Sequence, residues 1–155
     1  MTEIGDLYQE VILDHYKAPR NKRKPGRIDR QAEGRNPLCG DKVVVFIHVD
    51  GELIRDIGFD GSGCAISTAS ASLMTESVKG KSVTDAQALF KRFHGLVTSD
   101  RAPSETAPAL GKLEAFSGVR EFPVRVKCAS LAWHTLQAAL EKTERVVSTE
   151  EDDVV

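Results

Sequence analysis

Three cysteines and one aspartate are the residues whose types and spacing could do chemistry: Cys39 and Asp41 in NPLCGD, Cys64 in GSGCAISTASAS, and Cys128 in VKCASLAW. Cys39 lies between Pro37 and Gly40, and side chains two apart in an extended or looped segment, such as Cys39 and Asp41, can face the same way. Cys64 follows Gly61-Ser62-Gly63 at the expected start of a helix, where unpaired N–H groups and the positive end of the dipole favour a thiolate. Cys128 falls about a turn inside the last expected helix. Three thiolates and one carboxylate form a four-donor set that suits tetrahedral zinc or an iron–sulfur cluster. The gaps, one residue from Cys39 to Asp41, then 22 residues to Cys64 and 63 to Cys128, match no local zinc-finger pattern. Spacing alone therefore leaves three inert buried thiols as an alternative, since free cysteine is among the most buried residue types. The glycines beside Cys39 and Cys64 favour a site, because they leave backbone room that core packing does not need.

The elements that must position these residues can be read from pattern. Ile4, Leu7, Tyr8, Val11 and Ile12 follow helical spacing, and this first helix must stop before Pro19. Residues 43–49 (VVVFIHV) and 53–59 (LIRDIGF) flank Asp50-Gly51 and predict a β-hairpin, with a third strand near 27–36. Beyond Gly63 the pattern turns helical: 64–79, rich in Ala and Ser and ending at Gly80, then about 83–97. Ser82 can cap the second of these, with Asp85 in the capping-box position and Ala86, Leu89, Phe90, Phe93 and Val97 on one face. Residues 98–111 predict a mobile loop and Lys112–Phe116 a short helix. A last helix opens at Pro123 and runs to about Lys142, with Val126, Ala129, Trp133, Leu136 and Leu140 as its stripe. These elements predict an α+β fold: a small antiparallel three-stranded sheet packed against about five helices. Residues 1–143 form one domain and 144–155 an acidic tail expected to be disordered.

Composition excludes several classes. The chain has 155 residues, 41% hydrophobic and 28% charged, which fits one globular domain and not a collagen, a disordered chain or a disulfide-dense mini-protein. Lys plus Arg is 21 and Asp plus Glu is 23, so 21 − 23 = −2, which calls for no nucleic-acid or membrane partner. The longest apolar run, Val43–Ile47, is far short of the roughly 20 residues that span a bilayer. The start, MTEIGDLYQE, lacks a basic leader and a small-residue cleavage site, which predicts a cytoplasmic protein whose odd cysteine count, 3, makes no structural disulfide. Residues 17–35 carry eight basic and two acidic residues, a local +6, read as a solvated connection or as a docking surface for an acidic partner.

Other motifs are weaker. Lys79-Gly80-Lys81-Ser82 ends like a phosphate loop, but Thr75 stands where that pattern needs glycine, so a helix stop and a helix cap are expected instead. His15, His48, His94 and His134 are read as structural histidines. The small residues from Ile66 to Ser72 are expected to let their helix pack close to the sheet.

The three cysteine strings, in this order, resemble the U-type iron–sulfur assembly family, which includes IscU, the N-terminal domain of NifU and SufU, and the likeness covers about residues 4–143. Within the family the chain is similar to the SufU branch. Its third cysteine stands in FPVRVKCAS, with Lys127 where the IscU branch has histidine and without that branch's proline-rich chaperone motif. An insertion between the second and third cysteines, about 95–118, also looks like SufU. The resemblance implies a SufE/NifU-like fold and a zinc-binding sulfurtransferase that takes persulfide sulfur from a SufS-type cysteine desulfurase. It implies Cys39, Asp41, Cys64 and Cys128 as zinc ligands, Cys39 as sulfur acceptor, and a desulfurase histidine as the replacement ligand. Four anionic ligands around a divalent cation sum to 2 − 4 = −2, so a nearby cation should help; Arg125, three residues before Cys128 on a helix, is the first candidate and Lys127 the second. The alternative is a scaffold that assembles a [2Fe-2S] cluster, or holds iron, and passes it to downstream iron–sulfur assembly proteins.

Overall fold

The computed structural model describes residues 3–98, 110–141 and 147–148, with the backbone alone for residues 3–8, 120 and 147–148. In chain order the elements are α1 (Glu3–Lys17), β1 (Arg30–Asn36), β2 (Asp41–Asp50), β3 (Leu53–Ser62), α2 (Ala65–Val78), α3 (Val83–Thr98), a 3₁₀ helix (Gly111–Glu121), α4 (Pro123–Leu140) and β4 (Val147–Ser148). The expected three antiparallel strands and five helices are present. The sheet order is β3-β2-β1-β4, and β4, inside the stretch expected as an acidic tail, adds a two-residue parallel pair on β1. Most of the expected loop at 98–111 and the acids at 150–153 lie outside the described residues.

Strand alternation sorts the sheet into two faces. Val43, Val45 and Ile47 of β2 pair with Gly61, Phe59 and Ile57 of β3, and all but Gly61 are buried on the inner face. Helix α4 lies on this face so closely that a Cβ at Gly34 would overlap Thr135 Oγ1. Twelve of the 18 residues of α4 are buried, so the stripe read from the sequence is one side of a helix covered nearly all round by sheet and helices. Phe93 of α3 stacks on Trp133 with ring centroids 4.7 Å apart and meets Phe116 edge-on at 5.7 Å. Fully burying each such ring contributes about 1.5–3 kcal/mol.

Two expectations need correction. The short helix at 112–116 is an 11-residue 3₁₀ helix, because Leu110, Leu113, Phe116 and Val119, all buried, recur every third residue and share one face only at three residues per turn. The small residues of α2 serve helix–helix packing more than approach to the sheet. Helix α2 lies chiefly against α1 and α4, and Ser70 Oγ donates to the Ala129 carbonyl 2.5 Å away.

The basic stretch 17–35 is more than a solvated connection. Part of it runs along the open edge of β3, where Asn21 O accepts the Phe59 N–H at 3.0 Å, and then onto the outer face of the sheet, where the Lys24 ammonium sits 5.6 Å above the Phe46 ring. A Cβ at Gly58 would overlap the Arg23 carbonyl. Arg20, Arg23, Arg27 and Arg35 pair with Asp14, Asp56, Asp29 and Glu33, while Arg30 donates to the Leu140 carbonyl.

Candidate metal centre

One end of the sheet gathers the four donors. Asn36 and Asp41 face each other across the β1–β2 register, so both side chains fall on the inner face. The turn between them, Pro37–Gly40, carries Cys39 at its exposed tip, and Gly40 adopts φ +73°, a conformation suited to glycine. The Asn36 carbonyl closes this turn by accepting the N–H of Cys39 at 3.2 Å and of Gly40 at 2.8 Å. Cys64 is the N-cap of α2, its backbone extended and its sulfur accepting the Ser67 N–H at 3.4 Å, which satisfies an orphan donor of the first turn. Cys128, buried, sits about a turn and a half into α4, after Pro123 at the first turn.

Three of the four donors, Cys39, Asp41 and Cys128, are spaced to hold one ion, with Cys64 beside them. Cys39 Sγ and Cys128 Sγ are 3.5 Å apart, close to the roughly 3.8 Å edge set by Zn–S bonds of about 2.3 Å. Donor atoms of Cys39, Asp41 and Cys128 lie within 4.8 Å of one another. Cys64 joins through Asp41, its Sγ 3.8 Å from Asp41 Oδ2. The other oxygen, Oδ1, accepts the Cys64 N–H at 2.9 Å, so the backbone at the start of α2 fixes the carboxylate and leaves Oδ2 beside the sulfurs. The room expected at Gly63 is filled by this carboxylate: a Cβ there would lie 2.6 Å from Asp41 Oδ1.

The thiols divide a charge between them. A hydrogen bond from Cys128, then the N–H groups of Ser67 and Ile66, pull the Cys64 thiol down to about 6 against its burial and the Asp41 charge. Cys128 is pushed up, first by the same bond to Cys64 and then by burial. A divalent cation would substitute for the shared proton, so the donor chemistry and the spacing both fit zinc.

Arg125 and the four histidines each make contacts of their own. Arg125 is exposed at the start of α4, its guanidinium 5.0 Å above the exposed Phe122 ring. His15 is buried against Ser72, His48 lies 3.9 Å from Asp29, and His94 and His134 pack on Phe90. One site residue escaped the sequence reading: Asn36, buried, with Nδ2 3.5 Å from Cys128 Sγ. Its signal was its place in NPLCGD, at the last strand position before the turn.

Comparison with known proteins decides the family. Residues 7–149 match the family described as NifU-like N terminal domain. The chain belongs to this family. Among NifU-like relatives, the zinc-dependent sulfurtransferase SufU of Bacillus subtilis is 40% identical over 143 residues, 91% of this chain and 94% of that protein. The iron–sulfur cluster assembly scaffold protein IscU of Streptococcus pyogenes is 38% identical over 145 residues, 92% of this chain and 88% of that one. A crystal structure from Fervidobacterium islandicum, described as a candidate iron–sulfur cluster assembly scaffold for the SUF system, superposes with a TM-score of 0.76 at 35% identity, over 84% of this chain and 94% of that one. No helix among the described residues is long and apolar enough to cross a membrane.

Proposed function

We propose that this NifU-like protein is a zinc-dependent sulfurtransferase that accepts persulfide sulfur from a SufS-type cysteine desulfurase for iron–sulfur cluster assembly. The observation that carries the reading is an asymmetry in the donor set: Cys39 is exposed on a turn, while Asp41 opens a strand, Cys64 caps one helix and Cys128 lies inside another. Zinc held by these four would keep the sulfurs as thiolates at neutral pH and, being redox-inert, would leave a persulfide unoxidised. The turn lets Cys39 move with less rearrangement than a helical cysteine. Its thiolate attacks the outer sulfur of the desulfurase persulfide, a new S–S bond forms as the old one breaks, and the desulfurase cysteine leaves as a thiolate with no net oxidation. Leu38, Phe122 and Val124 are exposed large apolar residues on the segments that carry Cys39 and Cys128, which supports a protein partner docking over the site. The name of the Bacillus relative supports the same chemistry.

A second reading, a scaffold that builds a [2Fe-2S] cluster and hands it to downstream iron–sulfur assembly proteins, is favoured by Asp41. A hard oxygen among thiolates holds a cluster loosely enough to release it. Aerobic purification separates the two: colourless protein with about one zinc per chain supports sulfur transfer, and brown protein with iron and acid-labile sulfide supports the scaffold. In a titration of the desulfurase, the native chain should raise turnover and Cys39→Ala should abolish the rise. Stimulation that survives Cys39→Ala removes this residue from the acceptor role.

A further inference from the structure

We propose that Asn36 is a positioning residue that holds Cys128 in place and thereby determines which sulfur stays when Cys39 moves; the inference rests on the zinc-dependent reading above. Each fixed ligand needs an anchor. Cys64, at an N-cap, uses the free Ser67 N–H, and Asp41 uses the Cys64 N–H. Cys128 has no such recourse, because at its depth in α4 the backbone N–H groups are already bonded within the helix. Its donor must come from another element, and Asn36 supplies it from the end of β1 with an amide 3.5 Å from the sulfur.

The amide suits that position. Asn36 is 0% exposed, and its NH₂ can donate to a thiolate without burying a further charge beside four anionic donors. An aspartate of the same shape would set a second carboxylate against the sulfur. The same residue also closes the Cys39 turn through its carbonyl and faces Asp41 across the ladder. It thus ties the mobile sulfur by backbone only and the stationary sulfur by side chain.

The test uses the full zinc-loaded chain, native, Asn36→Ala and Asn36→Asp, with far-UV circular dichroism as the check on folding. Zinc release to a colorimetric chelator should be about 10- to 100-fold faster in the variants, the usual effect of losing an outer hydrogen bond to a metal ligand. Limiting iodoacetamide with mass-spectrometric mapping should modify Cys39 first in the native chain, and both Cys39 and Cys128 in the variants. A merely structural role would not move that selectivity. Release within about twofold of native, far below the outer-shell effect, with alkylation confined to Cys39 overturns the proposal. Loss of the folded signal in both variants also overturns it, since Asn36 would then be a folding residue. A native chain that retains no zinc sinks the sulfurtransferase reading itself, a result distinct from a zinc-holding native chain with indifferent variants.

Discussion

Cys39, Cys64 and Cys128 share a side chain and differ in everything around it. Cys64 gains N–H donors because it caps a helix, Cys128 is sealed inside one, and Cys39 stands on a turn open to solvent. Distance along the chain revealed none of the contacts between them, although the loop at Cys39, the helix start at Cys64 and the place of Cys128 inside the last helix were each legible from the neighbouring residues. Arg125 illustrates the reverse case. Helical spacing set it on the side of Cys128, yet its guanidinium stacks on Phe122. An exposed cation at the rim steers and orients a partner more than it holds a metal. Arg125→Ala should therefore retain its zinc and raise the concentration needed for half-maximal desulfurase stimulation about tenfold, roughly 1.4 kcal/mol. Parallel zinc analysis checks the claim, and complete loss of zinc would make Arg125 a structural residue.

Helices and strands deliver these side chains through rules of different reach. The hairpin was legible because Asp50-Gly51 supplies a turn with Gly51 at φ +62°. The start of α3 was legible because Ser82 Oγ accepts the Asp85 N–H at 3.0 Å, a bond between near neighbours. The 3₁₀ helix was misjudged although its apolar period of three stands in the sequence, and α2 and α4 show weak stripes because both are buried on several sides. Gly63 joins element to site, since a side chain there would push the Asp41 carboxylate off the Cys64 N–H. Gly63→Ala should cost about 1–3 kcal/mol, the penalty for unmaking a buried charged hydrogen bond, and should loosen zinc as well. Urea unfolding with and without a chelator measures both effects; unchanged midpoints in both would refute the account.

Across the fold, α1 is tied to α2 at a buried histidine remote from the metal site. His15 is 0% exposed and lies 2.7 Å from Ser72 Oγ, which also accepts the Arg20 N–H at 2.8 Å. Burial, and after it the Arg20 charge, hold the His15 pKa below 6.5, with Lys112 adding to this and Glu76 and Asp14 opposing it. The unfolded chain therefore takes up this proton first as the pH falls. The contribution of neutral His15 is complete above pH 6.5 and is lost as pH drops through the lowered folded value. Stability measured by urea from pH 7.5 to 5.5 should fall more steeply for the native chain than for His15→Asn, by at most about 1.4 kcal/mol per pH unit for one proton. Parallel slopes would show that His15 does not titrate with folding.

The amino-acid sequence by itself determined the strands, the turns, the capped helix and the α+β class, because contacts among near neighbours govern each of them. Its residues also named the four donors, while leaving inert thiols open until the family resemblance was added. Only the tertiary structure decided that the donors meet. Their meeting requires the Asn36–Asp41 register and the close packing of α2 and α4 at the same sheet end, long-range contacts that no local spacing records.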